Sequence, residues 1–173
     1  AAGIPSSKLR RTHLKAHPRF VPPSTRPHDG IFRIVYVGRV DPTKGVPLLV
    51  RAFSRLVVPQ VKLILVGGWS SRAMRTFMEN WMDHDPRISV RPGDPLPVLQ
   101  TADVFVNPSC EDGFGYAPME ALACGVPVIV TEDTGMKEHV VEGENGYVLP
   151  TGNGKALLDQ LRTLYHEWAA ARP

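Results

Sequence analysis

Between residues 32 and 150 the chain alternates short unbroken apolar runs that end in tight turns with stretches of helical spacing. The apolar runs are FRIVYVG (32–38), VKLILVGG (61–68), RISV (87–90), DVFVNPS (103–109), PVIVTE (127–132) and GYVLP (146–150). Runs without polar alternation are strands covered on both faces, which a parallel sheet between two helix layers provides. Helices are predicted over 44–58, 70–83, 95–102, 116–124, 135–141 and 153–170. Pro47 falls in the first turn of the first helix, where its missing N–H costs little. The expected fold is therefore α/β: a doubly wound, Rossmann-like parallel sheet with right-handed crossovers. Such sheets bind ligands in the crevice at the carboxyl ends of their strands, so the residues just after each strand are the ones to read.

The first 30 residues read differently. Pro5, Pro18, Pro22, Pro23 and Pro27 mark an extended lead-in rather than packed core, leaving 31–173 as a single ligand-binding domain. Lys8, Arg10, Arg11, Lys15 and Arg19 fall in the first 20 residues with no acid, whereas the net charge of the whole chain is only +3. The basic character thus belongs to one end, read as a solvated connecting segment. No RNP-type aromatic pattern, zinc-finger spacing or Arg-rich helix accompanies it, so no nucleic-acid partner is expected. Two cysteines, Cys110 and Cys124, make neither a disulfide framework nor a metal clip and suit a reducing, cytoplasmic setting. No apolar run reaches the roughly 20 residues of a membrane span, and the first residues lack the apolar core of a signal peptide. Without an initiator Met the chain reads as a piece of something longer.

Two strand ends carry chemistry. After the first strand, Gly38-Arg39-Val40-Asp41-Pro42-Thr43-Lys44-Gly45 sets two cations five residues apart on a turn into a helix start. That combination suits a diphosphate, and equally a surface turn with solvated charges. It is not a P-loop, because Lys44 precedes Gly45 with no Ser or Thr following. Gly67-Gly68 lacks the GxGxxG spacing of a nicotinamide-binding turn. The richest segment is PSCEDGFGYAPMEALACGVPVIVTEDTGMKE (108–138). Gly113 and Gly115 free backbone N–H groups to face an anion, and Asp112 can accept from sugar hydroxyls. Glu120 can accept from a ribose diol, or merely complement the helix dipole.

Pro108, Ser109, Asp112, Gly113, Phe114, Gly115, Glu120, Ala121, Ala123, Gly125, Pro127 and Val128 together resemble the donor-binding motif of family 4 glycosyltransferases. These are retaining, nucleotide-sugar-dependent enzymes of the GT-B fold. Upstream, GRVDPTKG is similar to the family's GR-x4-KG phosphate motif, and TGMKEHVVEGENGYVLP resembles its usual ending. The likeness runs from about residue 31 to 165. The acid of the motif is Asp112 where Glu is commoner, and THLKAHPRFVPP (12–23) lacks the glycine and aspartate of the family's preceding turn.

The resemblance implies a C-terminal, donor-binding half of a GT-B hexosyltransferase, acting on a glycan or lipid-linked acceptor as in polysaccharide biosynthesis. Catalytic roles fall to Arg39, Lys44 and Asp112: the cations neutralise the diphosphate leaving group, and Asp112 contacts the transferred sugar. Donor binding adds Gly38, Gly113, Phe114, Gly115 and Glu120, with Val90 and Arg91 at the next strand end meeting the base. No cofactor or metal is implied, since Arg39 and Lys44 do the work of a cation; the partners are a UDP-, GDP- or ADP-linked sugar and a missing N-terminal acceptor domain. Membrane association would come only through the full-length protein. As an isolated half the chain is expected to bind a donor without transferring it. Two rivals stand beside this reading: a sugar-nucleotide 2-epimerase of GT-B architecture, and a non-catalytic nucleotide-sugar binding module. His139 reads as a helix-face residue and both cysteines as packed thiols; Met74, Met78, Trp81 and Met82 read as core or as an interdomain face. Trp168 on the last helix is core, or packs toward the missing domain.

Overall fold

A computed structural model of the chain describes residues 5–8, 14–27, 29–82 and 84–172. The strands are β1 (Phe32–Val37), β2 (Val61–Val66), β3 (Ile88–Arg91), β4 (Val104–Asn107), β5 (Val128–Thr131) and β6 (Gly146–Leu149). The helices are α1 (Val46–Ser54), α2 (Arg72–Met82), α3 (Leu96–Leu99), α4 (Tyr116–Ala123) and α5 (Gly154–Ala170), with 3-10 turns at Ser6–Lys8 and Gly135–His139. Among the described residues the strands form one sheet in the order β3-β2-β1-β4-β5-β6, and every neighbouring pair is parallel. The doubly wound α/β sheet expected from the apolar runs is the fold observed.

The strands put alternate side chains on the two faces. Ile34, Tyr36, Leu63, Leu65, Val104, Val106 and Ile129 face α1, α2 and α5, meeting Leu49, Phe53, Met78 and Leu161. Val35, Ile64, Val66, Phe105, Val128 and Val130 face the other way, against Leu99 of α3, Ala121 of α4, and Met136. Each fully buried Leu, Ile or Phe contributes about 1.5–3 kcal/mol relative to leaving it exposed. Both faces being covered is why the strands read as continuous apolar runs. Trp168 belongs to the first face: its ring lies 5.3 Å from that of Phe32, and its Nε1 donates to Asp103 Oδ1 at 3.0 Å. It is core.

Four expectations need adjustment. α1 stops at Ser54 rather than at 58. Pro59 disfavours helical backbone at Val58, and the guanidinium of Arg87 donates to the carbonyl of Leu56 just past the helix end (2.7 Å). The predicted helix over 95–102 has a helical core of only four residues, and that over 135–141 is a 3-10 turn.

The fourth adjustment concerns the lead-in. Its described residues carry little regular structure, yet they are packed onto the domain. Phe20 is 5% exposed within the α3/α4 face. Arg26 donates to the carbonyls of Ala102, Cys124 and Gly125, binding the segment to the C-terminal end of α4. Arg19 makes a two-pronged pair with Asp94, at 3.0 and 2.9 Å. Residue 30 is therefore not a packing boundary. Arg10 and Arg11 of the basic end lie outside the described residues.

Candidate functional site

The strand order places β1 beside β4, so the loop after Val37 and the loop after Asn107 meet at the carboxyl edge of the sheet. Their contact is close. Gly45 begins α1 with φ 68°, and a Cβ there would lie 1.9 Å from the carbonyl oxygen of Pro108. Only glycine lets these two backbones touch. The amide of Cys110 donates to Thr43 O at 3.0 Å, fastening the second loop to the first. The buried Tyr36 hydroxyl donates to Arg39 O at 2.8 Å and sets the path of the chain beyond Gly38. Burial pushes that phenol well above its ordinary pKa, so it stays a donor.

Between the loops lies a cleft of about 260 Å³ lined by Gly38, Lys44, Asp112 and Gly115 among the expected residues, together with Tyr36 and Asn107. Lys44 Nζ sits 3.0 Å from Asp112 Oδ2, across 68 residues of chain. α1 begins at Gly45 and α4 at Gly115, neither with a side-chain cap nor with an acid in its first turn. Two sets of helix-start N–H groups are thus left without a side-chain acceptor. Gly115 has φ 78°, which turns the chain into α4. Arg39 is exposed, its Nε 3.4 Å from Asp41 Oδ2. Asp41 accepts from the amide and hydroxyl of Thr43, bonds that hold its carboxyl below the usual range. Asp41 therefore serves the turn and leaves Arg39 on a loose tether. Lys44 and two helix starts at one hollow are groups suited to receiving an anion.

The other expected residues sit farther along the same edge. Val90 borders a second hollow, of about 490 Å³, with Gly67, Trp69 and Pro92 at the ends of β2 and β3. Arg91 and Gly113 are exposed. The Phe114 ring packs edge-on to Tyr116 (5.9 Å) and His139 (5.4 Å), so His139 supports the loop. Glu120 is half-buried one turn into α4, and burial raises its carboxyl above the usual range against the opposing charges of Arg19 and His17. Of the two thiols, Cys124 is buried, whereas Cys110 is exposed and corrects the expectation of a packed group. Reading the sequence missed Asn107, Tyr36 and Arg19. Asn107 had a usable signal, being a polar residue that ends a wholly apolar run.

The profile of the glycosyl transferases group 1 matches residues 31–167. The chain belongs to this family. The Staphylococcus aureus capsular polysaccharide biosynthesis glycosyltransferase CapM is 32% identical over 141 residues, 79% of this chain and 37% of that protein. The C-terminal domain of a glycosyl transferase group 1 family protein (LpcC) from Francisella tularensis superposes with a TM-score of 0.75 at 24% identity, covering 85% of each chain. Anabaena Alr3699/HepE, crystallised with UDP-glucose, superposes with a TM-score of 0.73 at 24% identity, covering 80% of this chain and 40% of that one. The chain thus has the fold of a GT-B C-terminal domain and spans well under half the length of the curated relatives it matches.

Proposed function

We propose that the chain is the donor-binding half of a retaining hexosyltransferase that takes its sugar from a nucleoside diphosphate. The observation that carries this reading is the Lys44–Asp112 pair, 3.0 Å apart between two uncapped helix starts. A nucleotide sugar presents to such a cleft a diphosphate for the cation and the N–H groups, and hydroxyls for the carboxylate. As the bond between the sugar C1 and the phosphate oxygen breaks, its electron pair leaves with the diphosphate. Lys44 and Arg39 neutralise that charge without a metal. Asp112 holds the sugar, the N–H groups of Phe114 and Gly115 lie beside it, Glu120 takes the ribose hydroxyls, and the backbone around Val90 and Arg91 meets the base. A UDP-sugar is also what the Anabaena neighbour carries. The acceptor, a glycan or a lipid-linked sugar, would dock on the preceding domain, so this half binds donor without transfer. Two unpaired thiols suit a cytoplasmic enzyme using cytoplasmic donors.

Titration calorimetry of the folded chain with UDP-glucose, GDP-mannose and ADP-glucose tests this. One of the three is expected to bind, and its nucleoside diphosphate with it. Failure of all three to bind refutes the donor site.

A further inference from the structure

Asn107 closes β4 in the middle of the sheet, next to β1. It is 5% exposed. Its Oδ1 accepts from the Ser109 hydroxyl at 2.8 Å, but its Nδ2 has no hydrogen-bond partner among the described residues. A buried N–H left unmade costs about 1–3 kcal/mol. A valine continuing the run Val104-Phe105-Val106 would avoid that cost, so the amide calls for an acceptor from outside the protein.

Its direction is set by Gly115. A point one Cβ bond from Gly115 Cα lies 3.4 Å from Asn107 Nδ2 and 3.5 Å from Asp112 Oδ2. A donor and an acceptor therefore border one patch of the cleft floor. The void behind Asn107, about 10 Å³ among Leu48, Val106, Ile129 and Leu157, does not reach Gly115. A phosphate oxygen at this patch would accept from Nδ2 but would face the Asp112 carboxylate. A hydroxyl satisfies both, accepting from the amide and donating to the carboxylate.

We propose that Asn107 is a sugar-recognising residue: its Nδ2 and the Asp112 carboxylate together hold one hydroxyl of the transferred hexose. The inference rests on the donor-site reading and adds the residue that tells a nucleotide sugar from its bare nucleotide. A sugar lacking that hydroxyl leaves a buried donor and a carboxylate unpaired, a stronger discrimination than shape alone gives.

The test compares UDP with UDP-glucose, GDP with GDP-mannose, and ADP with ADP-glucose by calorimetry on the wild-type chain, N107A and N107D. N107D keeps the acceptor for Ser109 but replaces the N–H with a carboxylate oxygen, adding a negative charge beside Asp112. For the pair that binds, N107A should keep nucleoside diphosphate affinity within about twofold and lose about tenfold for the nucleotide sugar, and N107D should weaken both ligands, the nucleotide sugar more. The Asn107 side-chain amide resonance of the wild type should shift with the nucleotide sugar and stay put with the nucleotide alone, a readout that needs no variant to fold. Equal losses for both ligands, no loss for either, or an unmoved amide resonance overturns the inference while leaving the donor site standing. Absence of binding by the wild type overturns both.

Discussion

Replacing Gly45 by alanine tests the contact on which the cleft depends. The new Cβ would sit 1.9 Å from Pro108 O and 2.7 Å from the carbonyl carbon, so the two loops would have to part by about 1 Å. Neither loop is free to do so. Gly45 N donates to Pro42 O (2.9 Å), Leu49 N to Gly45 O (3.1 Å) and Cys110 N to Thr43 O (3.0 Å). Alanine at φ 68° costs about 1–2 kcal/mol through its own backbone, and forcing atoms into a packed contact adds about 1–3 kcal/mol. Gly143 separates the two costs, because at φ 75° a Cβ there meets nothing within 4 Å. Gly143→Ala should show the backbone cost alone. In thermal denaturation followed by circular dichroism, Gly45→Ala should lower Tm by roughly 5–20 °C and Gly143→Ala by a few degrees. The first variant should also lose nucleotide binding, since the start of α1 is displaced from the cleft. A Gly45→Ala protein as stable as Gly143→Ala would refute the claim that the two strand-end loops lie in backbone contact.

Lys44→Ala should weaken the bound nucleoside diphosphate about 10- to 100-fold in calorimetry while leaving the nucleoside nearly unchanged, as loss of a charge-assisted bond requires; Arg39→Ala should do the same more mildly from its exposed position. Arg26→Ala frees the carbonyls of Ala102, Cys124 and Gly125 and should cost about 2 kcal/mol in urea denaturation, with the lead-in more open to protease. Asp85 is held below the usual carboxylate range mainly by its hydrogen bonds to Arg87, which also lies over Phe53 at 4.7 Å. A depressed pKa means the folded state binds the proton less readily, so this pair stabilises above the ordinary carboxylate range and loses its contribution as pH falls through and below it. Asp85→Asn should therefore be less stable than wild type at pH 7, and the gap should close toward pH 3.

The strands were legible because burial on both faces leaves an unbroken apolar run, and no polar alternation competes with that signal. Where apolar letters and burial part company, the reading failed. Val57 extends the apolar pattern of α1, but it is 90% exposed beyond a helix that Pro59 has already ended. Phe20 is the converse, a core aromatic among prolines, buried by contacts with α3 and α4 that lie some 80 to 100 residues away. Arg26 was not legible at all, because its partners are backbone carbonyls that have no letter.

The site follows the same logic at longer range. GRVDPTKG and PSCEDGFG are each ambiguous alone, the first passing for a solvated turn and the second for a flexible one. What joins them is topology. The chain runs outward from β1 to β3, returns to lay β4 on the open side of β1, and runs outward again to β6. That reversal opens a crevice between β1 and β4 alone, bringing Lys44 to Asp112 and two glycine-started helices to one hollow. The family resemblance carried the roles proposed for Lys44 and Asp112, since a cation and a carboxylate are legible as residue types. It could not carry Asn107, whose side chain acquires meaning only when one end is taken by Ser109 and the other is left facing Gly115. A polar residue ending a buried strand at a reversal of strand order therefore becomes a site candidate only once its hydrogen bonds are known.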